Sequence, residues 1–300
     1  MDAKPLVSIV VRTYNRPERL KECLGFLCRQ DYRPIQIIIV NDAGQDVKEL
    51  VEESVGDVPF RYISNERNLG RTAGLNIGID ASEGEYINFV DDDDAVYPHH
   101  IRTLTDAAAP DGLPVVYGDV LNVTFERDRQ TQEWKRVREQ LIYSFDFERD
   151  NFLLANYIPL TCLLFRRDCF DAVGPFDESL LIYEDWEFLI RLSRKFPFQH
   201  VRTITGEYRR RDDNSNLLEQ DTYRANDRVV KRRYRDDRDA AFDEIFKRTF
   251  KQQRDLRERM AQFDRVLQQT NQLQYQLAEA HKVIAQLQQE IVRLRTERTP

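Results

Sequence analysis

Four consecutive aspartates, Asp91, Asp92, Asp93 and Asp94, follow the apolar segment 86–90, which has the pattern of a buried strand. Like charges a few ångströms apart repel and raise one another's pKa, so such a run needs positive charge nearby. A divalent cation supplies it, and carboxylate oxygens suit Mg²⁺ or Mn²⁺, which commonly bridge to phosphates. A solvated acidic turn is the alternative. The position at the end of a strand, where open α/β sheets bind ligands, favours a metal and phosphate site.

Other polar residues come at or after the ends of further predicted elements of the same sheet. An aromatic ring, a hydroxyl, an amide and a carboxylate could hold a base and a ribose, and two arginines could meet a diphosphate. Each residue alone could be an ordinary turn or surface residue. Their convergence at one sheet edge indicates a nucleotide site. The residues are Thr13, Tyr14, Asn15, Arg16, Asp42 and Arg71.

A second acidic cluster, Glu184, Asp185 and Glu187, surrounds Trp186 much later in the chain. Carboxylates in the first turn of a helix often only complement the helix dipole, and this explains Glu184 and Glu187. Asp185 is the better candidate for a general base, because deprotonating a hydroxyl nucleophile needs a carboxylate that no metal occupies.

The elements that must position these residues alternate in type over the first hundred residues. Short β-branched runs at residues 6–11, 35–40 and 60–63 are separated by helical patterns, which predicts a mostly parallel sheet flanked by helices. One helix begins at Pro17 and another covers residues 71–81. The glycines of the second helix are expected to let it pack closely on the sheet, since the chain has no dinucleotide or P-loop motif.

The pattern is weaker in the middle of the chain. Val115 and Val116 suggest another strand, and residues 140–147 form a connecting segment of unassigned type. A short helix is predicted to begin near Glu184.

The last third of the chain contains two heptad seams. Apolar positions recur at steps of four and three residues, and a stammer separates the seams. Such a stripe on a lone helix would be exposed, so we expect a homo-oligomer, a dimer or a trimer. Packing of the stripe against the globular domain is the alternative. The first seam runs through Leu256, Met260, Phe263, Leu267 and Thr270, and the second through Leu273, Leu277, Ala280, Ile284, Leu287, Ile291 and Leu294.

Composition excludes several classes of protein. The 300 residues are 41% hydrophobic and 32% charged, which excludes a disordered chain. The net charge of −7 argues against a nucleic-acid binder. Four cysteines without metal-finger spacing indicate a reducing compartment. With no apolar run long enough to span a membrane, the chain is expected to be cytoplasmic, or peripheral at the inner face of the membrane.

Five motifs in order give a specific match to a known family. VSIVVRTYNRPERL, IIIVNDAG, RNLGRTAGLNIGID, GEYINFVDDDDAVYP and YEDWEFLIRL resemble the family 2 inverting glycosyltransferases of the Rossmann-like GT-A fold, over roughly residues 5–215. The resemblance implies a nucleotide-sugar donor bound by the N-terminal half, about residues 1–118, and an acceptor held by residues 119–235. The rest, residues 236–300, is expected to be a helical extension with a coiled coil from about residue 256.

The resemblance also assigns roles in the donor site. Tyr14 would pack on the base with Thr13 and Asn15 beside it, Asp42 would contact the base, and Arg71 the diphosphate or base. The family's DxD-type motif falls on Asp91, Asp92 and Asp93. Asp92 would then meet the ribose and Asp93 would bind Mn²⁺ or Mg²⁺. A slip of one residue leaves Asp91 and Asp94 open as metal ligands.

In the acceptor half, the general base of the family maps onto Asp185. Glu184 and Trp186 beside it are candidates for acceptor contacts. Arg209 and Arg211 would approach the diphosphate or an anionic acceptor, although surface pairing with the neighbouring Asp212 and Asp213 explains them equally well. His99 and His100 lie beyond Pro98, at the expected start of a helix, and are not assigned to the metal.

The sequence therefore predicts a metal-dependent inverting glycosyltransferase that moves a sugar from a UDP-sugar, with dTDP and GDP donors open, to a hydroxyl of a glycan or lipid-linked glycan. Bacterial cell-surface polysaccharide or lipopolysaccharide assembly is the commonest setting for such single-domain members of the family. A nucleotidyltransferase would need a phosphate loop, and a glycoside hydrolase would not need the nucleotide contacts. A coiled-coil scaffold with a non-catalytic, nucleotide-sugar-binding head is the rival from another class. The seam at the end of the chain suggests a further module or partner beyond residue 300.

Overall fold

The computed structural model describes residues 4–211 and 220–296. The chain divides into two compact units, Met1–Ala241 and Phe242–Pro300. Within the described residues of the first unit, nine strands form one sheet in the order β3-β2-β1-β4-β8-β6-β9-β5, and β7 pairs with β6. The strands are β1 (Val7–Thr13), β2 (Ile35–Asn41), β3 (Phe60–Ser64), β4 (Tyr86–Asp91), β5 (Ala95–Val96), β6 (Val115–Arg127), β7 (Trp134–Tyr143), β8 (Leu163–Arg166) and β9 (Phe198–Arg211).

Helices cover the sheet, and the predicted α/β fold class with a C-terminal helix is confirmed. Pro17 is the first residue of α1 and the predicted helix 71–81 is α3 to the residue. The helices are α1 (Pro17–Cys28), α2 (Lys48–Val55), α3 (Arg71–Ala81), α4 (His100–Ala108), α5 (Arg149–Leu154), α6 (Asp168–Val173), α7 (Glu184–Ser193), α8 (Gln220–Arg233) and α9 (Arg235–Thr296), with a 3-10 turn at Leu160–Cys162.

The predicted parallel arrangement holds for β3, β2, β1 and β4, which pair in parallel with crossover helices between them. Their register places Thr13 opposite Asn41 and Arg12 opposite Asp91. The carboxyl ends of these strands, and the polar residues that follow them, therefore meet at one edge of the sheet.

The second half of the sheet is mixed and differs from the sequence prediction. Strand β8 pairs antiparallel with both β4 and β6, while β6 pairs in parallel with β9. The strand predicted around Val115 and Val116 extends to Arg127, and part of the unassigned segment 140–147 belongs to β7. Most β7 side chains are exposed, so its main stabilisation is backbone pairing with β6. An exposed strand of this kind lacks the alternating apolar pattern by which strands are recognised.

Apolar residues on both faces of the parallel strands form the core. Val10 and Ile38 face one hydrophobic cluster, whereas Ile9 and Ile37 face another. Burial on both faces explains why these strands are continuous apolar runs.

The two glycines of α3 meet the sheet at different distances, and this allows a matched stability test. A Cβ atom at Gly78 would overlap Val10 Cγ1, whereas one at Gly74 would lie 3.7 Å from its nearest neighbour, Arg12 Cβ. Overpacking a core costs about 1–3 kcal/mol, so Gly78→Ala should lower the free energy of unfolding by about this amount. Gly74→Ala should be neutral or slightly stabilising, because alanine favours the helix. Denaturant unfolding would measure both, and equal effects would contradict the close packing at Gly78.

In the second unit, α9 continues as a single helix to Thr296. The side chains of the first heptad seam are exposed where the structure describes them, from 48% at Leu267 to 67% at Phe263. At the same spacing before Leu256 lie the polar Gln253 and Thr249, and only then Phe246 and Phe242, which are 63% and 60% exposed. The continuous apolar seam therefore begins at Leu256. The seam side chains at Ala280, Ile284, Leu287, Ile291 and Leu294, and the chain end at residues 297–300, lie outside the described residues.

Within the part of the chain that the structure describes, no helix combines the length and the apolar content needed to cross a bilayer.

Candidate functional site

A cleft of about 390 Å³ lies at the carboxyl ends of β1, β2 and β4. It brings together nine of the residues that the sequence predicts for the site, which confirms that they converge in space. The nine are Thr13, Tyr14, Arg16, Asp42, Arg71, Asp91, Asp92, Asp93 and Arg209. Asn15, Glu184, Asp185, Trp186 and Arg211 are not among the residues that line it.

The turn after β1 presents an aromatic ring to the cleft. Tyr14 is 47% exposed, which leaves its ring accessible for stacking. Thr13 is buried, and its hydroxyl donates to Asp92 Oδ2 at 2.8 Å. Asn15 has a positive φ of 52°, and its Oδ1 accepts the N–H of Gln45 at 2.8 Å. Asn15 therefore shapes the turn that presents Tyr14.

Asp42, after β2, organises the loop that leads into α3. Its carboxylate accepts the backbone N–H groups of Leu69 at 2.8 Å and Gly70 at 2.9 Å, and the side-chain amide of Asn65 at 2.8 Å. Both oxygens are therefore used by the loop, which holds Arg71 at the start of α3.

Asp91 is held between two arginines. Arg12 Nε donates to its Oδ1 at 2.9 Å, and Arg71 Nη2 lies 3.8 Å from its Oδ2. Burial alone would raise the pKa of Asp91, but these two cations outweigh it and lower the pKa below its usual value. Asp91 is therefore charged at neutral pH.

Asp92 and Asp93 share a cation with each other. Arg16 Nη1 lies 3.1 Å from Asp92 Oδ1 and 3.2 Å from Asp93 Oδ2, and Arg19 Nη1 lies 3.3 Å from the same Asp93 oxygen. Burial raises the pKa of Asp92 to about 6, against the opposing effect of Arg16. In this structure, arginine side chains supply the positive charge that the run of aspartates needs.

Asp94 has a different environment from its three neighbours. It is buried, and it accepts Thr161 Oγ1 at 2.6 Å and the N–H of Arg209 at 3.0 Å. Burial raises the pKa of Asp94 well above its usual value. Its contacts join the turn between β4 and β5 to β9 and to the 3-10 turn, so the structure gives Asp94 a packing role outside the cleft.

The residues present fit a divalent cation whose coordination shell is completed by substrate oxygens. Among the described residues, no group of three or more His, Cys, Asp or Glu side chains is arranged as a metal site. Mg²⁺ and related ions at nucleotide sites usually take one or two carboxylates and fill their shell with phosphate oxygens and water. Asp93 lines the cleft, and its carboxylate already attracts two guanidinium groups. The donor set suits such a cation and does not form an all-protein cage.

Asp185 lies in the first turn of α7, directly after Tyr183 and Glu184, with Tyr183 in the left-handed region. Its Oδ1 accepts the N–H of Trp186 at 2.7 Å, and its Oδ2 accepts the side-chain amide of Asn156 at 3.1 Å. Burial and the adjacent Glu184 raise the pKa of Asp185 to about 7. A carboxyl group that titrates near neutral pH can accept and release a proton at low cost.

Glu184 and Trp186, the two neighbours of Asp185, are both buried and paired within the protein, whereas the sequence suggests that they contact the acceptor. Trp186 is 3% exposed, and its indole Nε1 donates to the carbonyl of Phe152 at 2.8 Å, so it is a core residue and the expected acceptor contact is corrected. Glu184 is also buried, and its carboxylate pairs with Arg12 at 3.3 Å. Its partner is therefore a residue of the donor side of the cleft.

The guanidinium groups of Arg209 and Arg211 are both engaged with Glu22 of α1, at 2.6 and 3.0 Å. Arg209 also pairs with Glu207 at 2.8 Å, and both arginines stack over Phe125. Both arginine side chains are largely buried, so their ion pairs stabilise the structure. Of the two, only Arg209 lines the cleft. The alternative partners Asp212 and Asp213 lie outside the described residues.

Sequence reasoning missed several site residues. Arg12 had a signal, since it is a charge within an otherwise apolar strand, one position before Thr13. Arg19 lies one helical turn after Arg16, which could have indicated a second cation near the aspartates. Asn156 and Tyr223 carried none, because contacts so distant along the chain leave no local pattern.

Comparisons with known proteins agree with this arrangement. The profile of "Glycosyl transferase family 2" matches residues 8–174. The uncharacterized glycosyltransferase YwdF of Bacillus subtilis is 34% identical over 65% of this chain and 70% of its own length. EpsJ of the same organism, also an uncharacterized glycosyltransferase, is 31% identical over 72% of this chain and 63% of its own length. The chain spans 59% of a relative from Rickettsia typhi that is 30% identical.

Solved structures share the fold at low sequence identity. TarS of Staphylococcus aureus in complex with UDP-GlcNAc is 18% identical with a TM-score of 0.59, over 75% of this chain and 65% of that one. The mannosyltransferase PcManGT of Pyrobaculum calidifontis, in complex with GDP-Man and Mn²⁺, is 15% identical with a TM-score of 0.53, over 69% and 57%. At these identities the likeness concerns the fold.

Proposed function

The chain belongs to glycosyl transferase family 2, and from this premise we propose that it transfers a sugar from a nucleoside-diphosphate sugar, preferably a UDP-sugar, to a hydroxyl of a glycan or lipid-linked glycan. The observation that carries the proposal is the cleft itself. An exposed tyrosine, four aspartates and several arginines line one cavity at the carboxyl edge of a parallel sheet. That TarS binds UDP-GlcNAc and PcManGT binds GDP-Man supports a nucleotide-sugar donor.

In the proposed complex, the donor lies along the cleft. Tyr14 stacks on the base, Asp92 accepts from the ribose hydroxyls, and Arg16 and Arg71 pair with the diphosphate. Arginine suits the last role because its planar fork matches phosphate oxygens. The cleft residues Tyr223 and Leu181 remain for the sugar and the acceptor.

Asp93 is the residue that would hold Mn²⁺ or Mg²⁺, since it combines a cleft position with a carboxylate already turned toward cations. A bound cation would offset the negative charge on the departing diphosphate. Asp91 and Asp94 were the other candidate ligands. Their contacts favour structural roles, with Arg12 and Thr161 respectively.

Asp185 is proposed as the general base. It takes the proton of the acceptor hydroxyl, and the hydroxyl oxygen forms a bond to the anomeric carbon. The bond from that carbon to the diphosphate oxygen breaks, and its electron pair leaves with the nucleoside diphosphate. Attack on the opposite face inverts the configuration in one displacement. Asn156 and the N–H of Trp186 fix the carboxylate by donating to one oxygen each.

The proposal is tested by calorimetric titration of UDP, dTDP and GDP, each with and without Mn²⁺. We expect one diphosphate to bind tightly, in a metal-dependent manner. Hydrolysis of the matching sugar nucleotide then separates an enzyme from a non-catalytic, nucleotide-binding scaffold. The absence of binding by all three would contradict the donor assignment.

The exposed stripe of α9 supports a homo-oligomer through a coiled coil. Burying a leucine side chain is worth about 1.5–3 kcal/mol, so Leu267→Asp should weaken self-association by about 10- to 100-fold per helix. Gln268 is also exposed but lies on the outer face of the helix relative to the seam, so Gln268→Asp is the control. Sedimentation analysis should give a dimer or trimer for the parent chain and the control. A monomeric parent chain, or equal weakening by both variants, would contradict the coiled coil.

A cytoplasmic enzyme of bacterial surface polysaccharide assembly, free or peripheral at the membrane, would have such donors and acceptors at hand. This setting is part of the proposal and rests on the family alone.

A further inference from the structure

One arginine connects the two halves of the site. Arg12, near the end of β1, donates from Nε to Asp91 Oδ1 at 2.9 Å and from Nη1 to Glu184 Oε1 at 3.3 Å. The same Nη1 lies 3.1 Å from the carbonyl oxygen of Arg71. Its side chain is only 11% exposed. Burial alone would lower the pKa of Arg12, but the two carboxylates outweigh this effect and raise the pKa above its usual value. Arg12 is therefore a fixed positive charge between β4 and the first turn of α7.

The carboxyl group of Asp185 lies next to this pair along α7. Burial and the negative charge of Glu184 disfavour a second charge on Asp185, whereas Arg71 and Arg12 favour it. From its own helix Tyr183 also faces it, and Arg238 stacks over the neighbouring Trp186. Asn156 donates a neutral hydrogen bond. A carboxyl group next to a buried negative charge loses its proton only at a higher pH, and a counter-ion on that neighbour opposes the shift.

We propose that Arg12 is a positioning residue: by compensating the charge of Glu184, it lets Asp185 hold its own negative charge and act as the base. The role of Asp185 as base rests on the proposed function, whereas the charge coupling is a property of the free protein. Because the other end of Arg12 is bound to Asp91 in the donor cleft, the base is tied to the strand that carries the donor-binding aspartates.

An arginine is suited to this position because its planar fork can serve two carboxylates at once. Lysine has the charge but not the fork, so it can hold one partner well and the other poorly. Methionine approximates the length of the stem without the charge. The three side chains at position 12 therefore separate the effect of charge from the effect of geometry.

The test is the titration of Asp185 in the ligand-free full chain. Protein labelled with ¹³C at the aspartate carboxyl groups is followed by NMR across pH, and the resonance is assigned with Asp185→Asn. Arg12→Met should raise the midpoint of Asp185 by about one pH unit, the lower end of the effect of an adjacent charge. Arg12→Lys should raise it by less. Arg136→Met is the matched control, since Arg136 pairs with the buried Glu207 of β9, and it should leave the midpoint unchanged.

A double-mutant cycle tests the route of the effect. Glu184→Gln removes the charge that Arg12 compensates, so it should lower the midpoint of Asp185. Arg12 also attracts the carboxylate of Asp185 directly, and that part of its effect remains without Glu184. The shift caused by Arg12→Met should therefore become smaller, but should not vanish, when Glu184→Gln is already present. An equal shift in both backgrounds would mean that Arg12 does not act through Glu184, and no shift in either would remove its role altogether. Either result overturns the proposal.

The outcome is independent of the donor experiment. The NMR midpoints need no sugar nucleotide, so they remain readable if no nucleoside diphosphate binds and the proposed function fails. If the nucleotide binds and is turned over but the midpoints do not move, only the role of Arg12 falls. If Arg12→Met does not fold, Arg12→Lys retains the charge and still distinguishes the alternatives, because an unshifted midpoint on loss of the fork would contradict the double contact.

Discussion

Asp185→Asn is expected to reduce sugar transfer by about 10²- to 10⁴-fold, which is the usual contribution of a positioned general base. Asparagine keeps the shape of the side chain and can still accept the N–H of Trp186, but it has no basic oxygen to take the proton. Because Asp185 does not line the donor cleft, the affinity for the nucleoside diphosphate should stay within about twofold of that of the parent chain. Turnover and calorimetry on the same preparation measure the two quantities.

The pH dependence of turnover is a second test of Asp185 as the general base. The base must be deprotonated, and burial together with Glu184 raises the pKa of Asp185 to about 7. Turnover of the parent chain should therefore rise with pH through about 7 and fall off below it. The residual activity of Asp185→Asn should lack this step.

The matched control is Asp168→Asn. Asp168 is also an aspartate in the first turn of a helix, α6, but it is paired with Arg166 on the surface, away from the cleft residues. It should leave turnover and binding unchanged. If Asp185→Asn retains full transfer, another residue is the base, and the proposed mechanism is wrong.

Asp93→Ala is expected to abolish the increase in nucleoside-diphosphate affinity that Mn²⁺ provides. A cation contributes several kcal/mol at such a site, so the increment should fall by about 100-fold or more. For Asp93→Ala without metal, we expect a different effect on the affinity for the nucleoside diphosphate. The substitution removes a negative charge beside Arg16 and Arg19, so the cleft becomes more positive toward the diphosphate, and metal-free binding should persist or strengthen.

Asp128→Asn is the matched control for this experiment. Asp128 is likewise paired with a cation, Lys135, but it belongs to the β6–β7 hairpin. Its substitution should preserve the difference in affinity with and without Mn²⁺. If Asp93→Ala also preserves that difference, Asp93 is not the ligand, and Asp91 becomes the next residue to test.

Local patterns predicted the parallel half of the fold well. Continuous apolar runs gave β1, β2 and β4, and Pro17 fixed the start of α1, because each signal depends on neighbouring residues only. Strand β7 and most of β6 were missed. The side chains of β7 are largely exposed and those of the later part of β6 are mostly half-buried, so the backbone pairing between them leaves no clear period in the sequence.

The same division holds for the site. Residues that follow strand ends, such as Tyr14, Asp42 and Asp93, were found because parallel strands end at one edge of the sheet. Trp186 was misplaced, since its burial against Phe152 depends on where α5 packs on α7. The partner of Asp185 was also missed, because Asn156 comes from the segment after α5.

The sequence by itself therefore determined the fold class, the edge of the sheet at which the cleft lies, and the aspartates that line it. These follow from short-range periodicity and from the direction of parallel strands. Only the tertiary structure decided how the charges are paired. Arg12 and Glu184 are 172 positions apart, and Arg16 and Asp93 are 77 apart, yet each pair is within ion-pairing distance. Electrostatic interaction depends on separation in space and on burial, and neither is fixed until the chain has folded.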